Sequence, residues 1–261
     1  MSDDVLLTGA QGAIGSMLRR SLRRPSRHLR LLDVAPLAPL EPGEDAELIS
    51  GSFLDPGVLD DACRGANAIV HLGGLSHEGY SWSEYLEVNI HGTYLIAEAA
   101  RRAGITRIVY ASSNHAVGFV PLRDGSQVPD YEFPRPDTFY GVSKAASESL
   151  LRLYHDRYDL DVVCLRIGSY RERPLDTRSL WSWLSPGDCT RLVEASLSTP
   201  HPGFRIVWGV SDNARASVSL AEGRAIGYEP LDNAEDYATD LPPEHDPWRD
   251  VGGRYAGPDV T

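Results

Sequence analysis

The chain has 261 residues, 42% of them hydrophobic, and a formal net charge of −12. That length suits one α/β domain with a modest appendage, and the acidic balance argues against a nucleic-acid partner. No apolar stretch reaches transmembrane length and charge begins at Asp3, so neither a membrane span nor a signal peptide is expected. Cys63, Cys164 and Cys189 are scattered, which points to a reducing cytoplasm without disulfides. The eight histidines show no ligand spacing, so no metal site is expected.

Val5, Leu6 and Leu7 predict a first strand, followed by Thr8-Gly9-Ala-Gln-Gly12-Ala13-Ile14-Gly15 and a helical run to Leu22. Glycines between a strand and a helix let backbone approach a pyrophosphate where free N–H groups and the helix dipole favour negative charge. A tight structural turn would need the same spacing, but the strand-turn-helix context favours a dinucleotide. Arg19, Arg20, Arg23, Arg24, Arg27 and Arg30 fall on this helix and its exit, where a solvated face is expected. A second strand over 28–32 ends at Asp33, placed to accept ribose hydroxyls and to repel a 2′-phosphate. Val34 follows instead of an arginine, so NAD is expected over NADP.

Further strands are predicted over 47–50, 68–72, 107–111 and 162–166. Their alternation with helices implies an α/β fold with a doubly wound, Rossmann-type parallel sheet. Asp55-Pro56 marks a helix start, with aspartate as cap and proline at the first helical position. Ser81-Trp-Ser-Glu84 is a capping box that opens a helix running to Gly104. Asn89, inside that helix, is assigned a structural hydrogen bond to the neighbouring sheet.

A helix is predicted over 138–158, its apolar face supplied by Leu150, Leu151 and Leu153. Within it stands Lys144, the only lysine among 25 basic residues, four positions after Tyr140. Residues four apart share a helix face, so a phenol and an ammonium can converge there. Such a pair is acid-base apparatus only in a water-poor cleft.

After Arg166 the pattern changes. Residues 169–188 read as loop broken by short helix, 189–197 as helix and 204–207 as strand. From Asp240, Pro242, Pro243, Pro247, Gly252, Gly253, Gly257 and Pro258 predict a loose or disordered terminus, with Trp248 and Tyr255 as its anchors. The expected organisation is a dinucleotide-binding domain over 1–168, a small C-terminal substrate-covering portion over 169–239 and a tail over 240–261.

The glycine loop, Asp33, His71-Leu-Gly-Gly74, Asn89 with Gly92-Thr93, Tyr110-Ala-Ser-Ser-Asn-His115 and Tyr140 to Lys144 together resemble an extended short-chain dehydrogenase/reductase. The narrower resemblance is to the uronate-oxidising dehydrogenases of that family. It rests on His71-Leu-Gly-Gly-Leu-Ser76, Ser112-Ser-Asn-His-Ala-Val-Gly118, Arg166-Ile-Gly-Ser169 with Arg178, and Val207-Trp-Gly209, and it spans roughly residues 4–237. It implies Tyr140 as acid-base group, tuned by Lys144, with Ser113 on the reacting oxygen. It also implies substrate contacts from Ser76, Asn114 and His115, and a carboxylate grip from Arg178, with Arg171 and Arg173 as substitutes. Leu72, Gly73, Gly74 and Ser169 would line the cofactor. Ser52, followed by Phe53, stands where the family usually has an adenine-contacting aspartate. The loop between Gly118 and Tyr140, with Arg123, Asp124, Asp130 and Glu132, also departs from the pattern.

The implied reaction is NAD-dependent oxidation of the C1 hydroxyl of a hexuronate to an aldarolactone. A nucleotide-sugar epimerase or dehydratase, another sugar dehydrogenase, or a dinucleotide-sensing protein without turnover are the alternatives. The short portion after Arg166 leaves little room for a nucleotide diphosphate. Family resemblance also implies a homo-oligomer, at least a dimer, paired through the helices over 82–103 and 138–158.

Overall fold

The computed structural model describes residues 3–123, 125–242 and 249–257. Asp124, Pro243, Pro247, Trp248 and Pro258, named above, lie outside the described residues. In chain order the elements are β1 (Asp3–Thr8), α1 (Ala13–Ser21), β2 (Arg27–Asp33), β3 (Ala46–Ser50), α2 (Pro56–Cys63), β4 (Ala68–His71) and α3 (Trp82–Glu84). A π-helical stretch (Tyr85–His91) leads into α4 (Gly92–Ala103), β5 (Arg107–Ser113), a 3₁₀ turn (Asn114–Val117), α5 (Phe139–Tyr158) and β6 (Asp161–Ile167). There follow β7 (Ser169–Tyr170), α6 (Ser179–Ser182), β8 (Trp183–Leu184), α7 (Pro186–Ser198), β9 (Phe204–Gly209) and α8 (Ala221–Ala225).

Seven strands form one sheet in the order β3-β2-β1-β4-β5-β6-β9, and β7 and β8 pair separately. From β1 the chain steps outward to β2 and β3, then returns to start again at β4, with parallel pairing on both sides of β1. That reversal makes the carboxyl ends of β1 and β4 a topological switch point, where open α/β sheets bind ligands. The doubly wound parallel sheet expected from the alternation is what the chain forms.

By contact the chain divides into two compact units, the first comprising Met1–Ala111, Ser147–Val163 and Pro200–Phe204. Its core is the run of fully buried residues Val5, Leu6, Leu7, Leu29, Leu31, Leu32, Ile69 and Val70. Strands covered on both faces are expected to be apolar along their length, not alternating. Asp55 caps α2, its Oδ1 accepting from the N–H groups of Gly57 and Val58. Ser81 and Glu84 form the capping box, and Gly104 ends α4 in the left-handed conformation. The single helix expected between them is instead interrupted by seven π-helical residues.

The expected solvated arginine face holds only in part. Arg19 is buried, with two donors on the Glu44 carboxylate and the others on the Ala38 and Pro39 carbonyls. Arg27 is also buried and donates to Asp3. A guanidinium leaves the surface when each of its donors finds an acceptor, which a count of charges along a helix does not reveal. Leu153 is likewise exposed while Leu151 is buried, so the three leucines do not share one face.

The second unit comprises Ser112–Ala146, Cys164–Thr199 and Arg205–Thr261. Trp208, Val207, Leu192, Val193 and Tyr228 are buried in it. Arg166, 0% exposed, donates to the carbonyls of Asp130 and Glu132 and so pins the loop that precedes α5.

The loose terminus expected from Asp240 is not found over 249–257. Pro121 and Asp250 form an antiparallel bridge, Leu122 and Val251 donate to the Arg249 and Val120 carbonyls, and Val251 is 0% exposed. Proline and glycine do prevent a long regular element there. Backbone pairing and one apolar anchor are nevertheless enough to fix a short segment.

Candidate active site

In the first unit, Gly9 follows β1 with φ +70°, and a β-carbon there would lie 2.7 Å from the Gly73 nitrogen. The loops that leave β1 and β4 therefore meet backbone to backbone. At Gly15 a β-carbon would lie 2.2 Å from the Gly9 carbonyl oxygen, so only glycine lets the first turn of α1 close on the loop. Gly12 caps α1 without a side-chain hydrogen bond, and the first turn, which begins with Ala13 and Ile14, holds no acidic residue. The helix thus presents its orphan N–H groups to an anion. Asp33 accepts from the Gln11 N–H through Oδ2 and from the Ala35 N–H through Oδ1, each at 2.9 Å. These close approaches and open donors fit a dinucleotide pyrophosphate, with Asp33 held at the strand end for a ribose.

Phe53 lies edge-on to His71 at 5.3 Å, in space that β-carbons on Gly73 and Gly92 would fill. The Ser52 hydroxyl accepts from the Leu54 N–H. The Asn89 amide makes two hydrogen bonds with the backbone of Leu75, in the loop after β4, at 2.8 and 3.1 Å. Thr93 and Ser147 donate to the Asn89 carbonyl. The π-helical stretch that carries Asn89 therefore fixes the loop of Leu72, Gly73, Gly74 and Ser76, and Ser76 is exposed.

In the second unit, Tyr140 and Lys144 occupy adjacent turns of α5 and are 7% and 5% exposed, with the ammonium nitrogen 5.5 Å from the phenol ring centroid. Ser113 ends β5, and its hydroxyl oxygen accepts from the His115 N–H at 3.2 Å. The His115 Nδ1 lies 2.9 Å from the Asp137 carboxylate, and its ring meets Tyr140 and Tyr255 edge-on at 5.9 and 5.4 Å. Asn114 is buried and donates to the Val251 carbonyl at 3.1 Å.

Arg178 donates to the Ser169 hydroxyl at 2.9 Å and to the same Val251 carbonyl at 2.8 Å. Its Nε is buried without a hydrogen-bond partner among the described residues, and no carboxylate there pairs with it. Asp176 instead accepts from the Ser179 N–H and hydroxyl at the start of α6. Burial pushes the Arg178 guanidinium below its usual range, opposed by the charges of Asp176 and Asp137. Arg171 and Arg173 are exposed. A cavity of about 750 Å³ in this unit is lined by Arg123, Arg178, Arg215 and Arg249 with Trp181, and no acidic residue is among its described walls.

Asp137, the Val251 carbonyl and the buried glycine pair 252–253 had no mark in the sequence. Asp137 precedes Tyr140 by three positions, and that nearness was the one available clue. Among the described residues no group of three or more histidine, cysteine or acidic side chains could hold a metal ion.

A glycine loop at the switch point of a doubly wound sheet, with a buried tyrosine-lysine pair on a helix, defines a Rossmann-type dinucleotide-dependent oxidoreductase. The chain belongs to the NAD dependent epimerase/dehydratase family, whose model matches residues 5–170. It is 39% identical to a uronate dehydrogenase of Pseudomonas putida over 89% of this chain and 85% of that protein. It is 35% identical to an NAD-dependent glucose-6-phosphate dehydrogenase of Haloferax volcanii, over 91% and 96% of the two chains. A crystal structure of a mutant uronate dehydrogenase from Agrobacterium tumefaciens complexed with NAD matches with a TM-score of 0.92, at 34% identity, over 100% of this chain and 99% of that one.

Proposed function

We propose that the chain is an NAD-dependent dehydrogenase that oxidises the C1 hydroxyl of a hexuronate to the aldarolactone. The observation that carries this reading is Arg178, a buried arginine with no carboxylate partner among the described residues, set in an arginine-lined cavity. On a chain of net charge −12 an anionic sugar needs such a local cation, because the average field repels it.

NAD, when bound, supplies the hydride acceptor. Tyr140 takes the hydroxyl proton and Ser113 orients the reacting oxygen. A free phenol titrates near pH 10, and lowering that to about 7 takes roughly 4 kcal/mol. A cation about 4 Å away gives only ~1 kcal/mol in water but ~4 at an effective dielectric near 20. Tyr140 and Lys144 are each less than a tenth exposed, which supports a pairing little screened by water. Arg178 holds the sugar carboxylate bidentately, and Ser76, Asn114 and His115 take the ring hydroxyls. Gly9, Gly12, Ala13, Ile14 and Gly15 cradle the pyrophosphate and Asp33 the ribose. Ser52, Phe53, Leu72, Gly73, Gly74, Lys144 and Ser169 complete the cofactor contacts.

In functional terms residues 1–168 hold the cofactor and carry the Ser113, Tyr140 and Lys144 set, 169–239 cover the substrate and the tail adds the Val251 carbonyl. The working form is a cytoplasmic dimer or larger homo-oligomer. No described helix is long and apolar enough to cross a membrane.

Arg123 and Arg249 of the cavity, beside an Arg215 already engaged by Glu235, favour one second reading, an aldose phosphate, whose dianion would use more cations than a carboxylate does. The test is a panel of uronates, neutral aldoses, glucose 6-phosphate and nucleotide sugars with NAD or NADP, read by absorbance of the reduced cofactor. Net NADH with a uronate, at least tenfold faster in kcat/KM than with any other sugar, supports the reading, and Asp33 should favour NAD over NADP about tenfold. A preference for the sugar phosphate supports the second reading. Binding of a nucleotide sugar without net NADH points to an epimerase.

A further inference from the structure

We infer that Asp137 is a positioning residue that sets the tautomer of His115, so that the ring meets a sugar hydroxyl as a hydrogen-bond acceptor. The two Asp137 carboxylate oxygens lie 3.0 and 2.9 Å from His115 Nδ1. A carboxylate can only accept, so Nδ1 carries the proton. In a neutral imidazole the other nitrogen, Nε2, is then an acceptor.

The surroundings of Asp137 are built around this contact. Its side chain is 0% exposed, while that of His115 keeps 14% exposure. A β-carbon on Gly118 would lie 2.1 Å from the Asp137 carboxyl carbon, and one on Gly252 would lie 1.6 Å from its Oδ2. The two glycines, far apart in sequence, are joined by a hydrogen bond from the Gly252 N–H to the Gly118 carbonyl. Any side chain at either position would displace the carboxylate. The charge of Asp137 also acts on Arg178, raising its pKa against burial. Tyr140 and Tyr255 meet the ring edge-on at 62° and 79°, which limits its rotation.

An acceptor here adds to a set of proposed sugar contacts in which Lys144 and Arg178 can only donate, and the Asn114 amide nitrogen is engaged by Val251. A sugar hydroxyl that donates to Nε2 is told apart from a position that lacks the proton, because the imidazole would then lose its donor. This role rests on the reading of the site given above, but the tautomer itself does not.

The wild-type protein labelled with ¹⁵N-histidine, without cofactor or sugar, gives the test. His115 signals are identified by their loss in His115→Gln, and long-range ring couplings report which nitrogen is protonated. The expected state is a ring that carries its proton on Nδ1 and none on Nε2. Asp137→Asn, whose amide can donate to Nδ1, should shift the population toward Nε2–H. A neutral Nε2–H ring or a doubly protonated ring in the wild type overturns the inference. In kinetics, Asp137→Asn should raise KM for the preferred sugar about tenfold with kcat nearly kept, the pattern of a lost uniform binding contact. A fall in kcat alone, at unchanged KM, also overturns it. If no uronate is oxidised but the ring is the Nδ1–H tautomer, the substrate reading fails and the assignment of Asp137 stands.

Discussion

Lysine and arginine carry the same charge, yet the chain uses arginine at every basic position except 144. Lys144 is 5% exposed and one helical turn from Tyr140, where a compact ammonium and a wide planar fork are not interchangeable. Lys144→Arg is expected to lower kcat/KM at least a hundredfold, about 2.7 kcal/mol, in steady-state assays. Near-wild-type activity would show that charge alone suffices. Arg178→Ala is expected to cost roughly 2–4 kcal/mol in kcat/KM for the uronate while leaving any activity on neutral aldoses and the affinity for NAD nearly unchanged. Equal losses on charged and neutral sugars would assign Arg178 to the fold, where it also ties Ser169 to the Val251 carbonyl. The Tyr140–Lys144 pair was legible because its spacing is local. The partners of Arg178, His115 and Asn114 were not, because they come from positions 251, 137 and 255 that only the fold brings near.

Caps and turns carry local chemistry, so Asp55, Ser81 with Glu84, and Gly104 mark helix ends in the sequence as they do in the structure. The π-helical register between them leaves no such mark, since an i→i+5 bond needs no particular residue type. It matters nonetheless, because it carries Asn89 to the loop after β4. The Arg19–Glu44 clamp, which ties α1 to the segment before β3, was also hidden. Arg19 draws the Glu44 carboxyl from 4.5 down to about 2. A carboxylate whose folded pKa is depressed adds stability that is present above its unfolded value and lost as pH falls through the folded one. The clamp should therefore hold fully above pH 4.5 and fail toward pH 2. Thermal unfolding of wild type and Glu44→Gln across that range checks this. The gap in Tm should be constant at neutral pH and close in acid, and a gap independent of pH would place the effect of Glu44 elsewhere.

A net charge of −12 and an arginine-lined cavity pull an anionic sugar in opposite directions. The repulsion acts over the Debye length, roughly 30 Å at 0.01 M salt and about 8 Å at 0.15 M, whereas a contact inside a cavity is screened much less. Raising salt between those limits should thus improve kcat/KM for a uronate by about twofold and leave a neutral aldose unaffected. A loss on adding salt would mean that the arginines steer the encounter. Alternating strands and helices made the doubly wound sheet readable from order alone. The grouping of 112–146 with 164–199 and 205–261 was not readable, because contact between distant segments has no periodicity. The preference for arginine throughout has one more consequence. An endoprotease specific for lysine has a single bond to cut, the one after Lys144, in the second turn of α5. The folded chain buries that bond's lysine, so cleavage requires the helix bearing Tyr140 and Lys144 to open. The rate at which two fragments appear then reports how often that helix stands open, and becomes its opening rate once cleavage outpaces reclosing.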